Sequence, residues 1–228
     1  MKGKWLMPRT EEQWIGEYKK RGALWIHDGI LSHPHALLTS GKHSTGFFNS
    51  RLVIPDEALM NDAAADLLAL LADDGSANGM IIDGVVGPAT GATKLAELIA
   101  RHVSDYTGDP CFSVSPKKYE HDSIKSMVFT DEELDLIRGK SLLLCDDVVT
   151  TSGSVQLTAD AATSGGARVH PFILPLVNRS GLQEVNGRKI IALINRPMPM
   201  WESSDCPLCP QRSEALRPKE NWARLNAD

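Results

Sequence analysis

The chain has 228 residues, of which 42% are hydrophobic and 23% are charged, and its formal net charge is −5. This length suits one α/β domain with an appended subdomain and a sizeable core. The composition has no block of lysine or arginine, which argues against an extended nucleic-acid surface and against attachment to an anionic membrane. No stretch approaches the roughly eighteen apolar residues of a membrane span, and the charged segment Met1–Arg9 lacks an apolar core, so we expect a cytoplasmic protein.

The N-terminal quarter predicts two helices separated by short strands. Thr10 is a suitable cap for a helix that ends near Arg21, and the apolar run Ala23–Ile26 follows it. The segment Leu37–Val53 mixes aromatic residues, glycine and serine, which is typical of strands joined by tight turns and predicts a small hood. A helix with a regular apolar face begins at Pro55.

The rest of the chain alternates between strand and helix patterns. This alternation predicts an α/β fold with a mainly parallel twisted sheet that is flanked by helices. We expect residues 51–195 to form this core, and residues 1–50 and 196–228 to form the hood and a C-terminal extension. Ligands of such sheets bind at the carboxyl ends of the strands. The predicted strands lie near 80–86, 111–114, 141–145, 168–177 and 189–195, and the predicted helices near 91–102 and 152–164.

The polar interval Ser115–Lys140 is long for a connection inside a compact domain. It is either a functional lid or a disordered excursion, and we favour the lid. An extended hairpin and a helical turn around Asp131–Ile137 would give the interval structure of its own.

A strand, two carboxylates and a small-residue turn follow one another between Leu142 and Ser154. Asp146 and Asp147 can accept hydrogen bonds from vicinal hydroxyls, and backbone N–H groups at the start of the next helix favour a phosphate. The order therefore predicts a sugar-phosphate site, whereas the plain alternative is a strand-to-helix turn capped by these side chains. No lysine follows the turn as it would in a nucleoside-triphosphate P-loop.

A second strand-to-helix turn contains Gly87 and Gly91, and its glycines would let backbone amides approach an anion closely. Taken alone, this turn is also consistent with tight packing of a strand against a helix. Because it precedes the acidic turn in the same kind of βα unit, we interpret it as a second phosphate site.

The acidic turn resembles the phosphoribosyl-pyrophosphate (PRPP) motif of the type I phosphoribosyltransferases, and the glycine-containing turn resembles their pyrophosphate loop. The resemblance implies that Asp146 and Asp147 bind the ribose hydroxyls and are catalytic, and that a mobile lid closes over the reacting centre. The remaining PRPP-binding positions that it implies are Val149, Thr150, Thr151, Ser152, Gly153, Ser154, Gly87, Pro88, Ala89, Thr90 and Gly91.

The segment Thr39–Asn49 resembles the N-terminal signature of orotate phosphoribosyltransferases. The resemblance implies base-binding roles for Phe47, Phe48 and Thr150, and a contact between Arg179 and the substrate carboxylate. The alternatives are that the phenylalanines belong to the hood core and that the arginine is solvated. Thr39 stands where many members of the family have lysine, and the family's best known lid pattern is not reproduced.

These resemblances imply Mg²⁺-dependent transfer of phosphoribose from PRPP to orotate by a homodimer. In the lid, Lys117 and Lys118 are candidates to neutralise the departing pyrophosphate, and Lys117 or His121 is a candidate to protonate it. The plain alternative is that these lysines serve only the solubility of a polar segment. A phosphoribosyltransferase for a purine or another base is one alternative, and a non-catalytic PRPP-sensing regulator is another.

The four cysteines do not indicate a disulfide-built fold. Cys111 and Cys145 lie in strand-like segments, whereas Cys206 and Cys209 form a CPLC sequence with the spacing of half a zinc site. Neither a second CxxC nor a paired HxxxH provides the other ligands, so the pattern favours free or packed thiols, with zinc at Cys206 and Cys209 as the alternative.

Overall fold

The computed structural model describes residues 7–122 and 124–227. Residues 1–6 of the predicted hood, Ser123 of the predicted lid and the terminal Asp228 lie outside the described residues. In the described part of the chain, no helix is long and apolar enough to cross a membrane.

The described residues form six α-helices and fifteen short or medium strands. The helices are α1 (Glu11–Lys20), α2 (Glu57–Asp73), α3 (Thr93–Thr107), α4 (Asp131–Ile137), α5 (Gly153–Ser164) and α6 (Trp222–Leu225). The strands of the first half are β1 (Leu24–Ile26), β2 (His35–Leu37), β3 (His43–Ser44), β4 (Gly46–Phe48), β5 (Gly84–Val86), β6 (Phe112–Val114), β7 (Lys117–His121) and β8 (Ile124–Val128). The strands of the second half are β9 (Ser141–Val149), β10 (Arg168–Asn178), β11 (Glu184–Val185), β12 (Arg188–Ile190), β13 (Ile194–Asn195), β14 (Met200–Trp201) and β15 (Ala215–Leu216).

The central sheet has seven strands, and it confirms the predicted fold class. Its order is β11-β12-β10-β9-β5-β6, with β13 also paired to β10, and every pair is parallel except β11 with β12. Successive residues of β9 point to opposite faces: Leu143 packs in the cluster that contains the buried faces of α1, α2 and α3, and Leu144 packs in the cluster that contains those of α4 and α5. Both faces of the sheet are therefore covered, as a parallel sheet requires.

The hood combines segments from both ends of the chain. A four-stranded sheet has the order β14-β3-β2-β15, so two strands of the C-terminal extension flank the hairpin formed by β2 and β3. A third cluster, which includes Trp25, Leu38, Leu216 and Leu225, packs beneath it. The extension is therefore an integral part of the hood.

Three predicted strands differ from the observed ones, and one of them is the strand expected over 141–145, which continues through the acidic pair to Val149 as β9. The strand expected over 80–86 begins only at Gly84, and the strand expected over 189–195 is divided into β12 and β13. Both β12 and β13 pair with the long strand β10, and Ile191 N–H donates to the carbonyl of Ile173 between them. An apolar pattern does not show such an interruption, because the intervening residues are buried as well.

The interval between β6 and β9 contains the predicted hairpin and helical turn. The antiparallel strands β7 and β8 form the hairpin, and α4 spans the predicted Asp131–Ile137. Thr130 and Glu133 form a capping box at the start of α4, which explains why this short helix begins there. The described residues of this interval form a hairpin and a helix, whereas the alternative was a disordered excursion.

Candidate active site

Three neighbouring strands end at the same edge of the central sheet. Strands β5, β9 and β10 are parallel and adjacent, so the segments that follow Val86, Val149 and Asn178 lie side by side. Two of these segments are the predicted phosphate loops, and the third contains Arg179. The fold therefore brings together residues that are distant in sequence.

The acidic pair has one buried and one more accessible carboxyl group. Asp146 is 6% exposed, and its Oδ1 accepts a hydrogen bond of 2.8 Å from the backbone N–H of Asp147. Burial, together with the charge of Asp147, raises the pKa of Asp146 well above its usual value. The half-buried Asp147 is the more accessible of the two to a bound sugar.

The turn after β9 leaves backbone donors unused at the start of α5. Ser152 adopts a left-handed conformation with φ of 64°, and its side chain makes no capping hydrogen bond. Ser152 occupies the N-cap position without capping a backbone N–H, so the plain alternative of a turn capped by its own side chains does not hold at this residue. The N–H groups of the first turn therefore remain available to an anion.

Not every side chain at the turn after β9 is accessible to a ligand. Val149 is buried in the core, and its carbonyl accepts a hydrogen bond of 3.0 Å from Arg179 N–H. Its side chain is thus unavailable to PRPP. Thr151 and Gly153 are exposed, and Thr150 and Ser154 are half-buried.

The glycine-containing loop, Gly87–Gly91, contacts both the acidic pair and the lid. An ideal Cβ on Gly91 would lie 2.9 Å from Oδ2 of Asp147, and one on Gly87 would lie 2.9 Å from Sγ of Cys145. Ala89 N–H donates to the carbonyl of Pro116 (3.0 Å), immediately before β7. Gly87 and Pro88 are buried, whereas Thr90 is exposed. The two glycines are therefore required by close packing against the neighbouring loops.

Arg179 is buried, whereas the plain alternative held that it is solvated. The side chain is 1% exposed, and Nη2 donates a hydrogen bond of 2.8 Å to Ser44 Oγ. Its Nε has no partner, and no acidic side chain of the described residues pairs with it. Burial lowers the pKa of Arg179 to about 10, because the charged form loses hydration. A buried cation without a counter-charge is costly unless a ligand supplies the charge.

The two phenylalanines proposed for base binding take part in packing. Phe48 is buried in the main core, where its ring meets that of Tyr18 edge-to-face with centroids 5.2 Å apart. Phe47 is half-buried, and its ring centroid lies 5.9 Å from that of Trp222 in α6. The structure thus favours packing roles for both residues: Phe48 belongs to the main core, and Phe47 packs against the core of the hood.

Ser44 is the site residue that the sequence analysis missed. It lies in β3, its hydroxyl donates to the carbonyl of Pro199 (2.7 Å), and it accepts the hydrogen bond of Arg179. The serine belongs to the Thr39–Asn49 signature, but its contact with Arg179 joins residues far apart in sequence. Only the folded hood reveals it.

The lid residues lie on one exposed strand. Lys117, Lys118 and His121 all belong to β7, whose residues are all exposed. Because side chains alternate along a strand, Lys117 and His121 share one face of the hairpin and Lys118 lies on the other. Lys117 lies at the base next to the Gly87–Gly91 loop, and His121 is at the tip, where its Nδ1 lies 3.1 Å from Asp122 Oδ2.

Cys206 and Cys209 lie away from this sheet edge, in the hood. They meet His35 and His43, which come from the paired strands β2 and β3. The two histidines were missed because their spacing matches no zinc motif. The one sequence feature that could have indicated these histidines is their position on either side of a predicted turn.

Comparisons with known proteins agree with this architecture. Residues 56–192, more than half of the chain, match the family described as the phosphoribosyl transferase domain. The orotate phosphoribosyltransferase of Acidithiobacillus ferrooxidans is 27% identical over 205 residues, which cover 86% of this chain and 93% of that protein. The orotate phosphoribosyltransferase of Heliobacterium modesticaldum is 28% identical over 197 residues, which cover 82% and 90%.

Solved structures show the same similarity. The orotate phosphoribosyltransferase of Aeropyrum pernix is 25% identical with a TM-score of 0.55, covering 78% of this chain and 91% of that one. The adenine phosphoribosyltransferase of Thermoanaerobacter pseudethanolicus shares the fold, with 18% identity, a TM-score of 0.53 and coverage of 79% and 98%. The matched segment contains both of the predicted phosphate loops. The chain therefore belongs to the phosphoribosyl transferase domain family.

Proposed function

We propose that this chain catalyses the Mg²⁺-dependent transfer of phosphoribose from PRPP to orotate, which gives orotidine 5′-phosphate and pyrophosphate. Residues 51–195 form the PRPP-binding core in this proposal, and the hood covers the base. The names of the relatives from Acidithiobacillus ferrooxidans and Heliobacterium modesticaldum and of the Aeropyrum pernix structure support the choice of orotate.

The observation that carries the proposal is the buried guanidinium of Arg179. Its backbone N–H is bonded to Val149, two residues after the acidic pair on the neighbouring strand β9, and its guanidinium has no acidic partner among the described residues. Orotate has a carboxylate that would supply the missing charge, and a planar guanidinium suits two parallel hydrogen bonds to a carboxylate. Adenine and hypoxanthine have no carboxylate, so with either base this cation would stay unpaired.

The reaction requires charges to be placed correctly around the anomeric carbon. Bond cleavage builds positive charge on the ribose ring and negative charge on the departing pyrophosphate. Asp146 and Asp147 would accept the ribose hydroxyls, and the first turn of α5 would bind the 5′-phosphate. The Gly87–Gly91 loop would hold the pyrophosphate oxygens by its backbone amides. Such fixed donors and acceptors favour the transition state because they need no reorganisation.

A magnesium ion fits the donors of this edge. Asp146 and Asp147 offer only oxygen atoms, which a hard cation prefers, and Asp147 is accessible enough to reach an ion held mainly by the substrate. When bound, the ion would supply positive charge that offsets the negative charge developing on the pyrophosphate. The chain's own contribution is to orient the hydroxyls through the acidic pair.

The lid would complete the site from the other side. Lys117 and Lys118 would offset the charge of the pyrophosphate, and Lys117 or His121 would donate a proton to it. Its hairpin also exposes apolar side chains, such as Tyr119 (56% exposed) and Ile124 (73% exposed). These residues support a homodimer in which the hairpin meets the neighbouring subunit, and light scattering of the purified protein tests that association.

The base is identified by following pyrophosphate release from PRPP and Mg²⁺ with separate bases. We expect release with orotate and none with uracil, adenine or hypoxanthine. Release with a purine alone would support the alternative of purine salvage. Binding of PRPP without release for any base would support the non-catalytic regulator.

A further inference from the structure

Four side chains of metal-binding type, none of them assigned to the proposed reaction, meet inside the hood. The ligand atoms of His35, His43, Cys206 and Cys209 all lie within 4.8 Å of one another. Cys209 Sγ is 3.3 Å from His43 Nδ1 and 3.7 Å from His35 Nε2, and Cys206 Sγ is 3.6 Å from His35 Nε2. The CPLC sequence therefore has the two partners that its spacing lacked.

These separations match a tetrahedral zinc site closely. With zinc–nitrogen bonds of about 2.0 Å and zinc–sulfur bonds of about 2.3 Å, neighbouring nitrogen and sulfur ligands lie about 3.6 Å apart. The nitrogen–sulfur distances here are 3.3, 3.6 and 3.7 Å. The two histidine nitrogens are closer, at 2.8 Å, so they would separate by about 0.5 Å around an ion.

A hydrogen bond to Nδ1 of His35 determines which form of the ring nitrogen Nε2 faces the two cysteines. The Ser213 hydroxyl donates to the carbonyl of His33, which can only accept. Ser213 Oγ therefore accepts from His35 Nδ1, which lies 2.6 Å away. In the neutral ring, the lone pair is then on Nε2, which points at both cysteines. Zinc-binding histidines are commonly oriented by such a contact to the other ring nitrogen.

The donor set and its burial indicate a structural site. His35 is 0% exposed, and His43 and Cys206 are also buried, while Cys209 is half-buried. Two thiolates and two imidazoles fill a tetrahedral shell and leave no position for a substrate. We propose that His35, His43, Cys206 and Cys209 bind a structural Zn²⁺ ion.

The ion would cross-link the two ends of the chain. The histidines lie on the hairpin of β2 and β3, and the cysteines lie in the loop that joins β14 to β15. That loop includes only two short 3₁₀ turns, Ser203–Asp205 and Cys209–Gln211, so it has little regular structure to fix its position. His43 directly precedes Ser44, the partner of Arg179. The metal would therefore stabilise the hood wall that adjoins the proposed base site, although the zinc proposal does not depend on the reaction.

The test is the metal content of the full-length protein, expressed with added zinc and purified without chelators. Inductively coupled plasma mass spectrometry should find one zinc ion per chain. The Cys209→Ser variant should lose it, and the matched Cys111→Ser variant, which changes a cysteine outside the cluster, should retain it. Equal zinc in the parent and Cys209→Ser, or zinc-free parent protein with a Cys206–Cys209 disulfide, would overturn the proposal.

A second measurement does not depend on the folding of a cysteine variant. Parent protein in which zinc is replaced by Co²⁺ should show the visible bands of a tetrahedral ion and thiolate charge-transfer absorption. Ser213→Ala should retain these bands while weakening zinc affinity by about 10-fold or more, because it removes the partner of His35 Nδ1. An octahedral cobalt spectrum without thiolate bands would overturn the assignment.

Discussion

The carboxylate of Asp147 lies where a side chain on Gly91 would have to go. An ideal Cβ at position 91 would be 2.9 Å from both Cγ and Oδ2 of Asp147. The Gly87–Gly91 loop and the acidic pair are therefore in contact through a glycine that has no room for a methyl group unless Asp147 moves. This close approach couples the position of the acidic pair to that of the Gly87–Gly91 loop.

Gly91→Ala should displace Asp147 and lower kcat/KM for PRPP by about 100-fold, because small displacements of positioned groups have effects of that size. Steady-state kinetics with varied PRPP measures the loss. Gly16→Ala is the matched control, since nothing lies within 4 Å of its Cβ in α1. The control should retain activity and gain about 0.5–1 kcal/mol of stability. Full activity of Gly91→Ala would contradict the proposed coupling.

Arg179→Met should separate stability from base recognition. It removes a buried charge that has no acidic partner among the described residues, so the free energy of unfolding should rise by about 1 kcal/mol or more. Activity with orotate should fall about 100-fold, with little change in the KM for PRPP. Denaturant unfolding and steady-state kinetics measure the two effects. A matching loss of PRPP binding would argue against a contact specific to the base.

Asp146→Asn should stabilise the protein increasingly as the pH rises. The pKa of Asp146 is raised in the folded state by burial and by Asp147. Its contribution to stability is thus fully present below the unfolded pKa and is lost as the pH rises through the folded pKa. Asparagine avoids this loss while Asp147 N–H keeps its acceptor.

Urea unfolding of parent and Asp146→Asn at about pH 4 and about pH 7 measures that effect. The advantage of the variant should be larger at the higher pH, and its turnover should be strongly reduced. A pH-independent difference in stability would show that burial of the charge is not its cause.

Lys117→Ala should reduce kcat/KM for PRPP more than His121→Ala. Lys117 follows Pro116, whose carbonyl is bonded to Ala89 of the Gly87–Gly91 loop, whereas His121 is four residues further along the hairpin. The expected loss for Lys117→Ala is about 100-fold, the lower end of the contribution of a positioned proton donor. Lys19→Ala in α1 is the surface control. A larger effect at His121 would assign the tip of the hairpin to the pyrophosphate.

The local patterns predicted the sheet and the two strand-to-helix turns that follow β5 and β9. The apolar run of β9, the capping residues of α1 and the helical turn Asp131–Ile137 all depend on neighbours in sequence. Such features follow from periodicity and capping, which a single sequence displays. The boundaries of β12 and β13 were missed because they depend on pairing with β10.

Long-range contacts in the hood were less predictable. The alternative that Arg179 is solvated did not hold, because β3 brings Ser44 over it. His35, His43, Cys206 and Cys209 meet only because β14 and β15 flank the hairpin of β2 and β3. The two-residue strands that achieve this have almost no pattern of their own, and their pairing is fixed by packing between the ends of the chain.

The central claim is that the consecutive aspartates orient the ribose of PRPP. The most direct measurement compares the rate of orotidine 5′-phosphate formation by the parent and by Asp147→Ala, at saturating orotate and Mg²⁺ and with matched circular dichroism spectra. We predict a loss of about 100-fold or more in the variant, because an interaction that strengthens in the transition state is removed. Equal rates in the two proteins would contradict the account.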